Sequence, residues 1–352
     1  SGGMTLKDRT YIIVGGGLAG VSVSIQLIQA GAQVILFDKN ENHSSIIAAG
    51  IINPIVFRRM TKSWRVDEFL PYLKSFYNEM ELETGSTFLY ELPMRRMFSS
   101  LQEHDFWLEK QENIEFQPYL NPVTQEDMNY TVSKNEFGSG RVSAAYYVDV
   151  KAFIQKCKAW ISTKGEVVQE EFNYNQLNEN SYKDIAFDDI IFCEGFENKN
   201  NPWFGELPLD QTKGQTLTVR STELPTGVSL NRKCFVLPLE KNMFKVGSTY
   251  EWHNPTTHIT EEAKTEILDH LSFITDEKVE VISQEAGVRP TTRDRRPLIG
   301  THPHHKNFHI FNGLGAKGYM ICPMLSHEFV SYLAQETSLD KEVDVKRYFP
   351  KD

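Results

Sequence analysis

Tyr11-Ile12-Ile13-Val14-Gly15-Gly16-Gly17-Leu18-Ala19-Gly20 is the stretch on which the fold turns. An apolar run that ends on glycines reads as a short parallel strand buried on both faces. Leu18 to Ala30 then follows a helical rhythm. Val21, Val23, Ile25, Leu27 and Ile28 give it a broad apolar surface, and Gly31 ends it. Gln33-Val34-Ile35-Leu36-Phe37-Asp38 is the next strand, which completes a β-α-β unit. Gly15, Gly17 and Gly20 satisfy GxGxxG. The first permits the tight turn, the second a close approach of backbone to a pyrophosphate, and the third close packing of helix on strand. Phosphates suit the amino end of that helix, where N–H groups lack partners. Asp38, with Lys39 beside it, stands where a carboxylate accepts hydrogen bonds from an adenosine ribose. An aspartate there disfavours a 2′-phosphate, and the motif alone leaves NAD and FAD both open.

The rest of the chain alternates between two patterns. Val66 to Glu83 reads as a helix with Phe69, Leu70, Leu73, Phe76, Tyr77 and Met80 on one face. Thr87–Phe98 and Gly138–Tyr147 read as strand-like, Lys151–Ile161 as helix, and Asp189–Cys193 as a buried strand ending at Gly195. From Gly214 to Tyr250 the pattern is antiparallel: Gln215–Arg220, then Cys234–Leu239 and Met243–Thr249 as a hairpin turning through Glu240, Lys241 and Asn242. Thr260–Ile274 reads as helix and Val279–Ala286 as extended. Phe308–Phe311 is a strand leading into Gly313-Leu314-Gly315, and Gly318–Gln335 is a closing helix. Buried parallel-type strands at the start, middle and end, with antiparallel ones between, predict two interleaved units of mixed α/β and α+β class.

Composition excludes several functions. The chain has 352 residues, enough for two units sharing a core, and its 24% charged residues give no sign of extended disorder. Ser1-Gly2-Gly3 ahead of Met4 reads as an added leader. Thr5-Leu6-Lys7-Asp8-Arg9 then runs straight into a strand, so no signal peptide is expected, and no run is apolar enough to span a membrane. Cys157, Cys193, Cys234 and Cys322 lie far apart without zinc spacing, which fits a reducing cytoplasm and no metal site. His302, His304 and His305 read as a solvated turn. A net charge of −10 without a dense basic run makes nucleic acid an unexpected partner. Arg58-Arg59, Arg95-Arg96 and Arg293…Arg296 read as local ion pairing.

Later landmarks choose between the dinucleotides. Ser44-Ser45-Ile46-Ile47-Ala48-Ala49-Gly50-Ile51-Ile52-Asn53-Pro54 follows the β-α-β unit. Lys213-Gly214-Gln215 and Val246-Gly247-Ser248-Thr249 come in the antiparallel region. Ala286-Gly287-Val288-Arg289-Pro290-Thr291-Thr292-Arg293-Asp294 with Pro297-Leu298-Ile299-Gly300 and Asn312-Gly313-Leu314-Gly315-Ala316-Lys317-Gly318 come late. Together, and in this order over nearly the whole chain, they resemble the D-amino acid oxidase, glycine oxidase and sarcosine oxidase family of flavoproteins.

The resemblance implies a Rossmann-like FAD-binding domain (4–75, 147–213 and 285–352) interleaved with an antiparallel-sheet substrate domain (76–146 and 214–284). It implies cofactor contacts at Gly15, Gly17, Leu18, Ala19, Gly20, Asp38, Lys39, Ser45, Ala48, Ala49, Gly50, Gly195, Arg289, Gly313, Leu314, Gly315, Ala316, Lys317 and Gly318. Ala48, Ala49 and Gly50 match the segment beside the flavin ring. Gly313, Gly315 and Lys317 match the turn at its pyrimidine side, where N–H groups stabilise negative charge. The covalent cysteine of some sarcosine oxidases has no counterpart, since Cys322 lies elsewhere, and His43 stands in a different context from the attachment histidine of other relatives. Non-covalent FAD is expected.

Arg289 matches the arginine that holds the substrate carboxylate, a task for a planar, always-charged fork; it sits at an expected strand end. Lys317 is the expected second carboxylate partner or flavin partner. Tyr250, with Trp252, is expected to wall the pocket, so the catalytic candidates are Arg289, Lys317 and Tyr250. Arg58 and Arg59 are within reach of the site or structurally paired. Phe235 stands where glycine oxidase-like enzymes have a tyrosine, a departure that weighs against the same substrate. The implied reaction is hydride transfer from the α C–H of a small amine or amino acid to flavin N5, giving an imine, with oxygen or another acceptor reoxidising the flavin. Two alternatives stand beside it: the oxidase half of a tRNA wobble-uridine-modifying enzyme of the same family, and an FAD-binding protein without turnover.

Overall fold

The computed structural model describes residues 5–39 and 49–351. In chain order its main strands are β1 (Thr10–Val14), β2 (Gln33–Phe37), β3 (Met94–Met97), β4 (Ser139–Val142), β5 (Glu166–Val168), β6 (Asp189–Phe192) and β7 (Leu209–Arg220). They continue with β8 (Ser229–Arg232), β9 (Cys234–Pro238), β10 (Met243–Gly247), β11 (Glu251–Trp252), β12 (Glu280–Thr292), β13 (Leu298–Thr301) and β14 (Phe308–Asn312). The main helices are α1 (Leu18–Gln29), α2 (Val66–Thr84), α3 (Leu101–Gln111), α4 (Val150–Lys164), α5 (Glu261–Leu271) and α6 (Gly318–Leu333).

Two large sheets result. The first runs β5-β2-β1-β6-β14-β13, parallel except for the β13–β14 pair. Its central strands β1 and β6 are apolar after their first residues, Thr10 and Asp189, because helices cover one face and an aromatic cluster around Phe192, Phe204 and Phe308 covers the other. The second sheet runs β11-β7-β10-β9-β8-β3-β4, with β12 paired along β7. One face of it rests on α5 through Leu217, Val219, Leu230, Val236, Phe244 and Val246. Its other face looks toward the first sheet. Helix starts follow the expected chemistry: Asp149 accepts from Ala152 N at α4, and Thr260 from Ala263 N at α5.

The β-α-β opening matches its reading. Gly15 has φ +117°, and a Cβ there would lie 2.0 Å from Cys193 O, so only glycine permits the turn. A Cβ on Gly20 would lie 1.7 Å from Gly15 O, which is how close α1 comes to the turn.

Three places differ from the sequence reading. β12 runs past Ala286 to Thr292, so Arg289 lies inside a strand and not at its end. Pro290 is tolerated because β12 pairs only with β7, leaving its other edge without a ladder to feed. β7 begins at Leu209, and it pairs with β12 unbroken through Lys213-Gly214, where the sequence places a change of unit. Finally, α3 and the strands β5, β8, β11 and β13 are elements the sequence did not reveal.

Candidate active site

A cavity of about 380 Å³ lies between the two sheets. One wall is the carboxyl edge of the parallel sheet, where α/β folds hold ligands. It comprises Gly15-Gly16-Gly17 with Leu18 and Ala19 after β1, Asp38 and Lys39 after β2, Cys193-Glu194-Gly195 after β6, and Asn312, Leu314, Gly315, Ala316 and Gly318 after β14. The other wall comes from the antiparallel sheet: Met94 on β3, Asn231 on β8, Phe235 on β9, Tyr250 beyond β10, and Arg289-Pro290 on β12. Ala49, Gly50, Ile51 and Asn53 join them. The glycine-rich turn and Arg289 therefore open into one space.

At the first wall no side chain caps α1, whose N-cap is Gly17, so its first amides face the cavity without side-chain acceptors. Asp38 is buried, forms an ion pair with Lys158 of α4, and lies against Gly16, where a Cβ would come within 2.3 Å of its Cγ. Glu194 accepts from Asn201 Nδ2 at 2.8 Å and from the Tyr174 hydroxyl; enclosure pushes its carboxyl up to about 7. Lys39 pairs with Glu197. Asn312 Nδ2 donates to Gly195 O at 3.0 Å, tying the ends of β6 and β14 together.

At the second wall Arg289 is 8% exposed. Its Nη2 donates to Ser248 Oγ at 2.8 Å, its Cζ stands 4.8 Å from the Tyr250 ring centre, and its Nη1 is buried with no partner among the described residues. Gly214 on the neighbouring strand makes room, since a Cβ there would lie 2.6 Å from Nη1. Burial lowers the guanidinium's pKa, and among the described residues no carboxylate pairs with it. Tyr250 is 61% exposed and forms an outer wall.

Other candidates lie differently. Lys317 does not line the cavity. Its amine, lowered to about 8 by burial, donates to Ser63 Oγ at 2.6 Å, and Ser63 Oγ in turn donates to the carbonyl of the cavity residue Asn53. Gly20 and Gly313 stand behind the lining rather than in it; Gly313 N donates to Asn312 Oδ1 at 2.7 Å. Arg58 and Arg59 are exposed and outside the lining, as is Trp252. Ser45, Ala48 and His43 lie outside the described residues. His302 meets Phe204 and Phe349, and among the described residues no cluster has metal-ligand geometry. Glu194 and Asn231 were not singled out from the sequence, and Ser248 entered only as part of the Val246–Thr249 landmark, with no role at the site. Glu194 carries a signal in hindsight: a carboxylate between the end of an apolar strand and a glycine is out of place in a core.

Residues 10–331 match the FAD dependent oxidoreductase (DAO) family. The chain belongs to this family. Among curated relatives of this FAD dependent oxidoreductase, the uncharacterized oxidoreductase YurR of Bacillus subtilis is 24% identical over 94% of this chain and 97% of its own length. The glycine oxidase of Pseudomonas putida is 22% identical over 97% and 98%. The tRNA 5-methylaminomethyl-2-thiouridine biosynthesis bifunctional protein MnmC of Campylobacter jejuni is 22% identical over 84% of this chain but 46% of the relative, so this chain spans about half of that protein. Glycine oxidase from Geobacillus kaustophilus superposes with TM-score 0.78 at 17% identity, covering 94% and 96% of the two chains. Iminodiacetate oxidase from Chelativorans sp. BNC1 gives TM-score 0.78 at 17%, covering 97% and 98%. The enzyme's cofactor is FAD. The cavity fits it: an uncapped helix amino end for phosphates, a carboxylate at the end of β2, and one continuous space from there to Arg289. No helix among the described residues is long and apolar enough to cross a membrane, and all four cysteines are free and buried.

Proposed function

We propose that this enzyme oxidises the C–N bond of an amino acid or a small amine bearing a carboxylate, with FAD held non-covalently. The observation that carries the reading is Arg289 Nη1: a buried, unpartnered N–H of a charged fork, in the same cavity as the dinucleotide turn. A buried guanidinium without an anion is costly, and a substrate carboxylate supplies what it lacks. Bound FAD supplies a two-electron acceptor for the hydride of the substrate α C–H.

The chain's own residues bind and orient. Gly15, Gly17, Leu18 and Ala19 hold the pyrophosphate, and Asp38, steadied by Lys158, takes the ribose. Arg289, steered by Ser248, fixes the carboxylate, which limits the substrate's rotation over the site. The Tyr250 ring shields the guanidinium from water and strengthens that pairing. Ser63 holds the Lys317 amine near Asn53, so Lys317 supports the loop that borders the cavity. A division into a cofactor unit and a substrate unit is part of the same reading, with β7 and β12 whole in the substrate unit rather than cut at 213/214 and 284/285.

A second reading keeps the chemistry and makes the amine part of a tRNA base. It draws on the match to about half the length of the bifunctional tRNA proteins. The test of both is product analysis. The FAD-loaded protein is incubated with glycine, sarcosine, D-alanine, D-proline and L-proline, and separately with tRNA carrying carboxymethylaminomethyl-uridine. Oxo acids or cyclic imines from the first set support the amino-acid substrate, loss of the carboxymethyl group from the tRNA supports the second reading, and neither product refutes the proposal.

A further inference from the structure

The sheet face that carries Arg289 carries a second polar group farther along the cavity. Directly paired residues share a face, and the register links Thr216 to Gly247, Gly247 to Phe235 and Phe235 to Asn231. Leu230, one residue before Asn231, faces the opposite way into the core over α5. Phe235 and Asn231 both line the cavity. From Thr216, two residues along β7 from the Gly214 against which Arg289 lies, to Asn231 is three strand steps, roughly 14 Å at 4.7–4.9 Å each.

The direction of the Asn231 amide is fixed by a neighbour that can only donate. Arg96 on β3 donates Nη1 to Asn231 Oδ1 at 2.7 Å. Arg96 is itself clamped by Glu103 (Nε to Oε1 2.7 Å, Nη2 to Oε2 3.2 Å) and by Ser99 Oγ at 3.1 Å. A guanidinium has no acceptor, so the amide oxygen must face it and the NH2 must face away. Among the described residues that NH2 has no hydrogen-bond partner. Its sequence and strand neighbours in the lining include the apolar Phe235, paired with it across β8 and β9, and Met94. A donor held this way is matched to an oxygen on a ligand.

We propose that Asn231 is a second substrate anchor and a determinant of specificity. It donates an amide N–H to a carbonyl or carboxylate oxygen on the part of the substrate remote from Arg289. The inference rests on the reading of Arg289 given above. The substrate class it selects is an amino acid extended, through its amine or its side chain, by a segment that lies over Phe235 and ends in a hydrogen-bond acceptor. Glycine and sarcosine are too short to meet both anchors. Arg96 is a positioning residue that acts through Asn231, and Glu103 holds Arg96.

The test uses the FAD-loaded full chain and reads dissociation constants from perturbation of the flavin absorbance. The ligands are straight-chain monocarboxylates of five to eight carbons, each paired with an acid of equal length that ends in a methyl ketone, which accepts a hydrogen bond and donates none. In the wild type, at one or more lengths, the keto acid is expected to bind about tenfold more tightly than its apolar twin. Asn231→Leu brings that ratio to about one, and Asn231→Asp to one or less. Asn231→Asp is the decisive variant, because it keeps the acceptor that Arg96 needs and replaces the donor with a carboxylate oxygen that repels a ketone, and its melting curve verifies the fold. A role confined to satisfying Arg96 predicts that Asn231→Asp leaves the ratio unchanged, and that result overturns the proposal. A wild type that binds both series with equal affinity at every length overturns the Asn231 anchor alone. A wild-type flavin that no carboxylate perturbs overturns the reading of Arg289, and this inference with it.

Discussion

Replacing Arg289 with methionine separates catalysis from stability in opposite directions. The side chain has one neutral hydrogen bond, to Ser248 Oγ, and one aromatic face, Tyr250; its Nη1 has none. A substrate carboxylate therefore forms its main ion pair there, largely out of water. Truncating one partner of a buried charge pair costs about 2–5 kcal/mol. With so little else to neutralise the guanidinium, about 3–4 kcal/mol is expected, a 10²–10³-fold fall in kcat/KM. The free protein behaves otherwise. Methionine fills the space without an unpaired buried charge, so the Tm of Arg289→Met is expected to equal or exceed that of wild type. The assay is anaerobic flavin bleaching in a stopped-flow instrument, with each amino acid compared with the amine that lacks its carboxylate. The fall is expected for the acid and not for the amine. A kcat/KM within threefold of wild type, in a variant that keeps its FAD, refutes the assignment. So does an equal loss on both substrates.

Other outcomes follow from groups around the cavity. Gly15→Ala forces a Cβ to within 2.0 Å of Cys193 O, so the purified variant is expected to lose FAD on gel filtration where wild type stays yellow. Glu194 holds its proton to about pH 7 in the folded apoprotein, whereas the unfolded chain releases it near 4.5. Its contribution to stability is thus full at acidic pH and lost as pH rises to 7, by up to about 3 kcal/mol. Glu194→Gln should flatten the slope of urea-derived stability between pH 5 and 8, and an unchanged slope would count against the enclosed carboxyl. Lys317 has the opposite sign. Its amine loses its proton near pH 8 when folded and near 10.5 when unfolded, so this group adds stability as pH rises between them. Lys317→Met should remove a rise on the order of 1–3 kcal/mol between pH 7.5 and 10 in the same assay.

The sequence was legible where periodicity and turn chemistry agreed. Tyr11–Gly20 states a strand, a turn and a helix at once, and the structure places them so. It was opaque where an element exists only through its neighbours. Ser229–Arg232 has one apolar residue, Leu230, and becomes a strand because β9 and β3 pair with it on either side. The polar Asn231 that hid the strand is the residue that faces the cavity. Helix α3 was missed because Phe106, Trp107 and Leu108 are contiguous and not spaced on one face; only Trp107 is buried. Lys317 shows a different limit. Its neighbours in the glycine turn line the cavity, but side-chain direction at a helix start is set by packing, and Ser63 receives the amine.

The most direct test of the central claim is an anaerobic titration of the purified, FAD-loaded protein with glycine, sarcosine, D-alanine, D-proline, L-proline and longer N-carboxymethyl amines, followed by flavin absorbance. Stoichiometric bleaching by an amino acid, lost in Arg289→Met, is the result this account predicts. An oxidised flavin that none of these compounds reduces, or bleaching that Arg289→Met leaves intact, would contradict it.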